Sequence, residues 1–178
     1  MDESAPPTPS RLLRGAAVLE DGLVRELLAA RTVGVLCTHE PGGAIHAVPM
    51  WFAVDGGAVV LASSSASRKV GNVERDDRVT LVVHDSRPGS EVCGVSIRGR
   101  VEVVGPPAAA ALVALVHERY VTPEGLGLPE TRAFLGGDDV AMRLAPETAF
   151  TWDERANPAG AALRAVGGAL PLLPTTPR

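Results

Sequence analysis

Apolar positions along this chain recur mostly with the two-residue period of strands, broken by three stretches of helical spacing. Leu23, Val24, Leu27 and Leu28 fall at i, i+1, i+4 and i+5 and predict a helix over residues 19–31. Residues 32–38 are β-branched and apolar, and Pro41-Gly42-Gly43 supplies turn chemistry after them. Residues 44–54 read as a second strand, which the Asp55-Gly56-Gly57 turn folds back onto a hairpin partner at 58–63. A hydroxyl-rich loop then leads into a helix of two to three turns. Val70 and Val73 face the sheet there, and Glu74, Arg75, Asp76 and Asp77 close the element in solvent. Two more strands are expected at 78–83 and 92–104, joined by a polar loop at 84–91.

The clearest amphipathic helix spans residues 106–121. Its stripe of Leu112, Leu115, Val116 and Tyr120 is expected to pack in the core or a dimer contact. Residues 123–139 read as loop with one short helix from Pro129, and 140–145 and 148–152 as final strands either side of Pro146. The expected fold is therefore mainly β with peripheral helices, a barrel of six or seven antiparallel strands, without internal repeats.

Composition narrows the class. A length of 178 residues suits one domain, and no apolar run approaches the roughly 20 residues of a membrane span. Residues 1–15 lack the apolar core of a signal peptide. The formal net charge of -4 argues against nucleic acid as a partner. Cys37 and Cys93 are far apart and lack metal-ligand spacing, which fits a reduced, cytoplasmic protein. The ends are rich in Pro, Ser, Ala and Gly, so the chain divides into a disordered tail at 1–18, a domain at 19–153 and an Ala/Gly/Pro-rich tail at 154–178. Pro171, Pro174 and Pro177 bar a regular helix or central strand at the very end, while 161–166 could form a short helix.

The candidate chemistry concentrates in Ser63-Ser64-Ser65-Ala66-Ser67-Arg68-Lys69. Cations sit badly at a helix start, where the macrodipole already carries about half a positive charge. An anion reverses that penalty by taking backbone N–H groups, serine hydroxyls and both cationic heads together. The plain alternative is a solvated basic pair behind a serine N-cap. Only six residues are aromatic, yet Trp51, Phe52, Phe150 and Trp152 lie in two segments, offering flat walls for a ring or simple packing. His39, His46, His84 and His117 lack metal-ligand spacing, so no metal is expected. His46 is a candidate proton donor, with a merely polar role as the default, and Asn72 could hydrogen-bond a cofactor or only point to solvent, the second being the default. No G-x-S-x-G, P-loop or G-x-G-x-x-G motif is present.

The ordered set Val48-Pro49-Met50-Trp51-Phe52, the Asp-Gly turn, Ser63 through Lys69, Asn72, Arg78-Val79 and Gly99-Arg100-Val101-Glu102-Val103 resembles the pyridoxamine 5′-phosphate oxidase-like split β-barrel family. The resemblance covers roughly residues 23–152. It implies a homodimer that holds FMN, or in some members a deazaflavin, in two clefts at the subunit interface. The family's phosphate-binding basic pair falls on Arg68 and Lys69, and its contacts at the end of the preceding strand on Ala62 and Ser63, with Ser67 completing the phosphate cradle. The strand beside the ring falls on Val48, Pro49, Met50 and Trp51. Ala47 stands where the oxidases proper carry arginine, Gly94 where a glutamine is expected, and no counterpart of their C-terminal substrate-binding residues follows Trp152. Pyridoxine-phosphate oxidation itself is thereby disfavoured.

The resulting expectation is a flavin-dependent oxidoreductase acting on a small organic substrate. FMN is the first choice of cofactor and the deazaflavin coenzyme F-420 the second. A non-catalytic flavin- or haem-binding protein on the same barrel is the rival.

Overall fold

Asp21 interrupts the first helical stretch. Its carboxylate accepts from the backbone N–H groups of Leu23 (3.0 Å) and Val24 (3.2 Å), so it caps a new helix instead of continuing the old one. A computed structural model, describing residues 10–85, 93–135 and 137–155, accordingly has two helices where one was expected, α1 at Ala17–Glu20 and α2 at Gly22–Ala29. The stripe Leu23, Val24, Leu27 and Leu28 is buried, as its spacing requires.

The remaining elements are strands β1 (Ser10–Arg14), β2 (Gly34–His39), β3 (Ile45–Met50), β4 (Phe52–Asp55), β5 (Ala58–Ser64), β6 (Arg78–Asp85), β7 (Cys93–Val104) and β8 (Asp139–Asp153), and helices α3 (Arg68–Arg75), α4 (Ala110–Tyr120), α5 (Pro123–Gly127) and α6 (Pro129–Leu135). The strands form one antiparallel sheet in the order β3-β2-β6-β7-β8-β5-β4, and β1 adds to β8. β3 and β4 are therefore the two ends of this order, yet only Trp51 separates them in sequence. A sheet whose first and last strands are joined by one residue must curl, and the join is covalent without a ladder across it. This is a split barrel: the hydrophobic pattern predicted an antiparallel barrel, and the resemblance implied its split form.

The strands differ from expectation in three places. Residues 44–54 are two strands because the chain leaves the β2 ladder and enters the β5 ladder at Trp51. Residues 140–145 and 148–152 are one 15-residue strand, with Pro146 absorbed at an irregularity opposite Gly99. Residues 10–18, expected to be disordered, instead form β1 and the start of α1. Leu12 pairs with Phe150 across 138 residues of chain, a partnership no local pattern reveals. Residues 1–9 and 156–178, and with them most of the two expected tails, lie outside the described residues.

Gly56 and Gly57 adopt φ of +53° and +80°, the paired left-handed residues that a tight β4–β5 turn demands. The main core lies inside the curled sheet around Phe52, Leu36, Leu61, Leu81, Ile97, Met142 and Leu144, all fully buried. A smaller cluster joins α4 to the outer side of β4, β5 and β8, and Trp51 and Ala62 pack against it. Of the expected α4 stripe, Val116 is buried and Leu112 packs on this cluster, whereas Leu115 is 37% exposed.

Candidate functional site

β3 leads the chain to the seam at Trp51 and carries the sequence-identified residues Val48, Pro49 and Met50. β3 pairs only with β2, so its other backbone edge is open. Pro49 can stand in the middle of a strand there because an edge strand does not need every N–H in a ladder. Val48 is half-buried and packs on the core, Pro49 is exposed, Met50 is buried, and Trp51 is half-buried with its ring turned towards α4. Trp51 stacks on Tyr120 at 5.0 Å with an interplanar angle of 2°, and meets His117 edge-on at 6.5 Å. Trp51 is thus primarily a packing residue whose backbone, more than its ring, borders the open edge.

Tyr120 was not identified from the sequence as part of this region. Its hydroxyl donates to the Thr32 carbonyl at 2.6 Å and accepts from the Phe52 amide at 3.4 Å. Phe52 is the first residue after the seam, so one phenol ties the bend to the chain entering β2. Arg119 reinforces it by donating to the Leu28 and Ala30 carbonyls at 2.5 and 2.6 Å while lying over the Phe52 ring. The only sequence signal for these roles was a tyrosine at the end of a helix in a chain with few aromatics.

On the other side of the seam, the serine loop divides its labour. Ser64 donates to Asp138 at 3.0 Å, and Ser65 donates to the other oxygen of the same carboxylate through its hydroxyl and to the Asp138 carbonyl through its amide at 3.2 Å. Ser63 and Ser67 instead share a hydroxyl–hydroxyl bond of 2.9 Å. One of those two protons is spent between them, and the other stays available to donate outward. Ser67 occupies the N-cap position of α3, but its side chain caps no helix amide; its carbonyl accepts from Val70 and Gly71 at 3.0 and 3.2 Å. The amides of Arg68 and Lys69 remain at the open helix start.

The two cations differ. Arg68 is 71% exposed and pairs with Glu40 at 3.2 Å, beyond the end of β2. Lys69 is half-buried, and among the described residues it has no hydrogen-bond or ion-pair partner. Burial pushes its ammonium pKa down, the state of a cation whose environment lacks an anion. Hydroxyls, amides and an unmatched lysine on one helix start fit a bound phosphate group.

Asn72 does not point to solvent. It is buried and donates to the Thr38 hydroxyl at 2.9 Å, and Thr38 in turn donates to the His46 carbonyl at 3.5 Å. This short relay pins α3 across β2 to β3, so the two halves of the site hold a fixed spacing. His46 is half-buried with an unpartnered Nδ1. The acidic end of α3 lies at the surface, as expected, and its aspartate carboxylates are paired there. Asp76 receives Arg78 in a bidentate pair at 2.7 and 2.8 Å, and Asp77 receives Arg100 at 2.6 Å. Trp152 belongs to the outer sheet face, where its ring covers Gly94, its ladder partner, and stacks near Phe150 at 6.4 Å. Any side chain at position 94, including the glutamine the resemblance led one to expect, would collide with that ring.

The model of the pyridoxamine 5′-phosphate oxidase family matches residues 21–153, the whole sheet except β1, with α1 left outside. The chain belongs to this family. Among solved structures, this family member is similar to a conserved hypothetical protein from Mycobacterium tuberculosis, with 29% identity, TM-score 0.62, and coverage of 74% of this chain and 83% of the other. It is also similar to an F420 reductase, with 28% identity, TM-score 0.56, and coverage of 70% and 94%. A haem storage protein from Vibrio cholerae shares the fold at 15% identity and TM-score 0.57, covering 73% and 92%. No curated protein matches the chain. None of the helices among the described residues is long and apolar enough to cross a membrane.

The same oxidase-family fold carries a half-buried histidine behind the seam. His117 lies 4.0 Å from Asp139, and burial lowers its pKa more than that carboxylate raises it. The unfolded chain, with its histidine near the ordinary value of about 6.5, therefore takes up a proton before the folded one does. Stability from this group is full above about pH 6.5 and is lost as pH falls through the folded pKa. Chemical denaturation between pH 7.5 and 5 should show this loss in wild type and a smaller one in His117→Asn; equal slopes would exclude the histidine as the source.

Proposed function

We propose that this protein is an oxidoreductase using a flavin-type cofactor, with the phosphate of that cofactor held by Ser63, Ser67, Arg68 and Lys69. The observation that carries the reading is the half-buried, unpartnered Lys69 beside the Ser63–Ser67 hydroxyl pair at the start of α3. The open backbone edge of Val48, Pro49, Met50 and Trp51 would offer amide and carbonyl groups to the ring edge, while Ala62 packs on the α4 cluster at the end of the strand that leads into the serine loop. When bound, such a cofactor supplies hydride or two-electron exchange with a small organic substrate. The protein's part is to hold the phosphate and to fix the strand through Tyr120.

FMN is the first reading of the cofactor. A deazaflavin is the second, favoured by the 28% identity to an F420 reductase. The assembly is a homodimer. Ile45, Leu12 and Phe150 are exposed by 57%, 60% and 48%, and the strand registers set them on the same outward sheet face as Pro49. A second copy covering that face closes the cleft beside β3. Titration of the apoprotein with FMN and with coenzyme F-420, followed by absorbance and mass of the bound species, tests the reading. Binding of one with micromolar or better affinity is expected; saturation by neither would overturn it.

A further inference from the structure

The cofactor-phosphate reading assigns chemistry to Ser63, Ser67, Arg68 and Lys69, and leaves Asp138 without a role. A carboxylate within reach of an anion site is at first sight a defect, because it repels the ligand. Its hydrogen bonds account for its presence. One oxygen takes the Ser64 hydroxyl at 3.0 Å, the other takes the Ser65 hydroxyl, and the Asp138 carbonyl takes the Ser65 amide at 3.2 Å. Two serines in a row are thus held from across the sheet, in continuation of the Ser64–Asp139 ladder pair. Ser67 also donates its amide to the Ser64 carbonyl at 3.1 Å, so the turn is fixed at both ends.

Without Asp138, four neighbouring hydroxyls would compete for the same acceptors, and Ser64 or Ser65 could turn to cap α3 as serines ordinarily do. Both spend their single proton on the carboxylate, so neither can take the place left for the ligand. The helix start therefore stays uncapped by any side chain. We infer that Asp138 is a positioning residue for cofactor phosphate: by holding Ser64 and Ser65 away, it leaves the Ser63–Ser67 pair and the first amides of α3 open to the anion. The inference rests on the phosphate reading above. Asp138 is exposed and at the loop before β8, so replacing it leaves the buried core intact.

The test compares wild type, Asp138→Ala and Asp138→Asn for affinity towards FMN, coenzyme F-420 and riboflavin, with thermal melting as a control. Riboflavin carries the ring without the phosphate. Asp138→Ala should weaken the phosphate-bearing ligand at least fivefold and leave riboflavin unchanged. Asp138→Asn, which keeps one acceptor oxygen, should recover part of the loss. Unchanged or tighter binding of that ligand by Asp138→Ala would assign the carboxylate no positioning role and overturn the inference alone. Equal weakening of riboflavin would overturn it too, as a general loosening of the loop. A wild-type protein that binds neither FMN nor coenzyme F-420 would overturn the phosphate reading itself.

Discussion

Replacing Arg68 and Lys69 together by alanine is expected to weaken binding of the phosphate-bearing cofactor at least tenfold while the protein stays folded. Hydrogen bonds to charged groups contribute about 1.5–3 kcal/mol each, and a factor of ten in affinity corresponds to about 1.4 kcal/mol. The loss should be unequal between the two. Arg68 already spends part of its charge on Glu40 in solvent, whereas Lys69 is half-buried and unmatched. Lys69→Ala alone should therefore account for the larger share. Isothermal titration with the cofactor and with riboflavin measures both effects. Affinity for the phosphate-bearing ligand that does not change in the double variant would remove the assignment.

Phe52→Ala is expected to be the most damaging single change to stability. The side chain is fully buried in the main core, follows the seam directly, and carries the Arg119 guanidinium 5.2 Å above its ring. Truncating a buried phenylalanine costs about 3–5 kcal/mol through lost transfer energy and the cavity left behind. Domains of this kind have only about 5–15 kcal/mol in total. At about 2–4 °C per kcal/mol for a chain of this size, melting should fall by about 6–20 °C. Scanning calorimetry reads this directly, and a fall below about 3 °C would mean that the core closes over the gap.

The candidate phosphate loop was readable in the sequence because its chemistry is local: four serines, two cations and a helix start lie within seven consecutive residues. The α2 stripe, the Asp-Gly-Gly hairpin and the valine face of α3 were readable for the same reason. What escaped is non-local. The break at Trp51 is invisible because both flanking segments are apolar and strand-like, and only the change of ladder partner separates them. Pro146 reads as a terminator, yet a bulge opposite Gly99 accommodates it. β1 has the composition of a tail and becomes a strand only through β8. Asp138 and Tyr120 act on residues 73 and 68 positions away. Asn72 looked solvent-facing because its partner, Thr38, lies on a strand 34 residues earlier.

β8 pairs with β1, β5 and β7, at three separate stages of the chain. It is also the last strand among the described residues, ending at Asp153. On a ribosome adding about 5–20 residues per second, everything before it emerges first and must wait. During that interval β1 has no ladder at all, β5 has only its hairpin mate β4, and β7 has only β6. The nascent chain thus passes through a period of several seconds with open strand edges and exposed valines. β8 is the strand whose arrival covers the three waiting edges together.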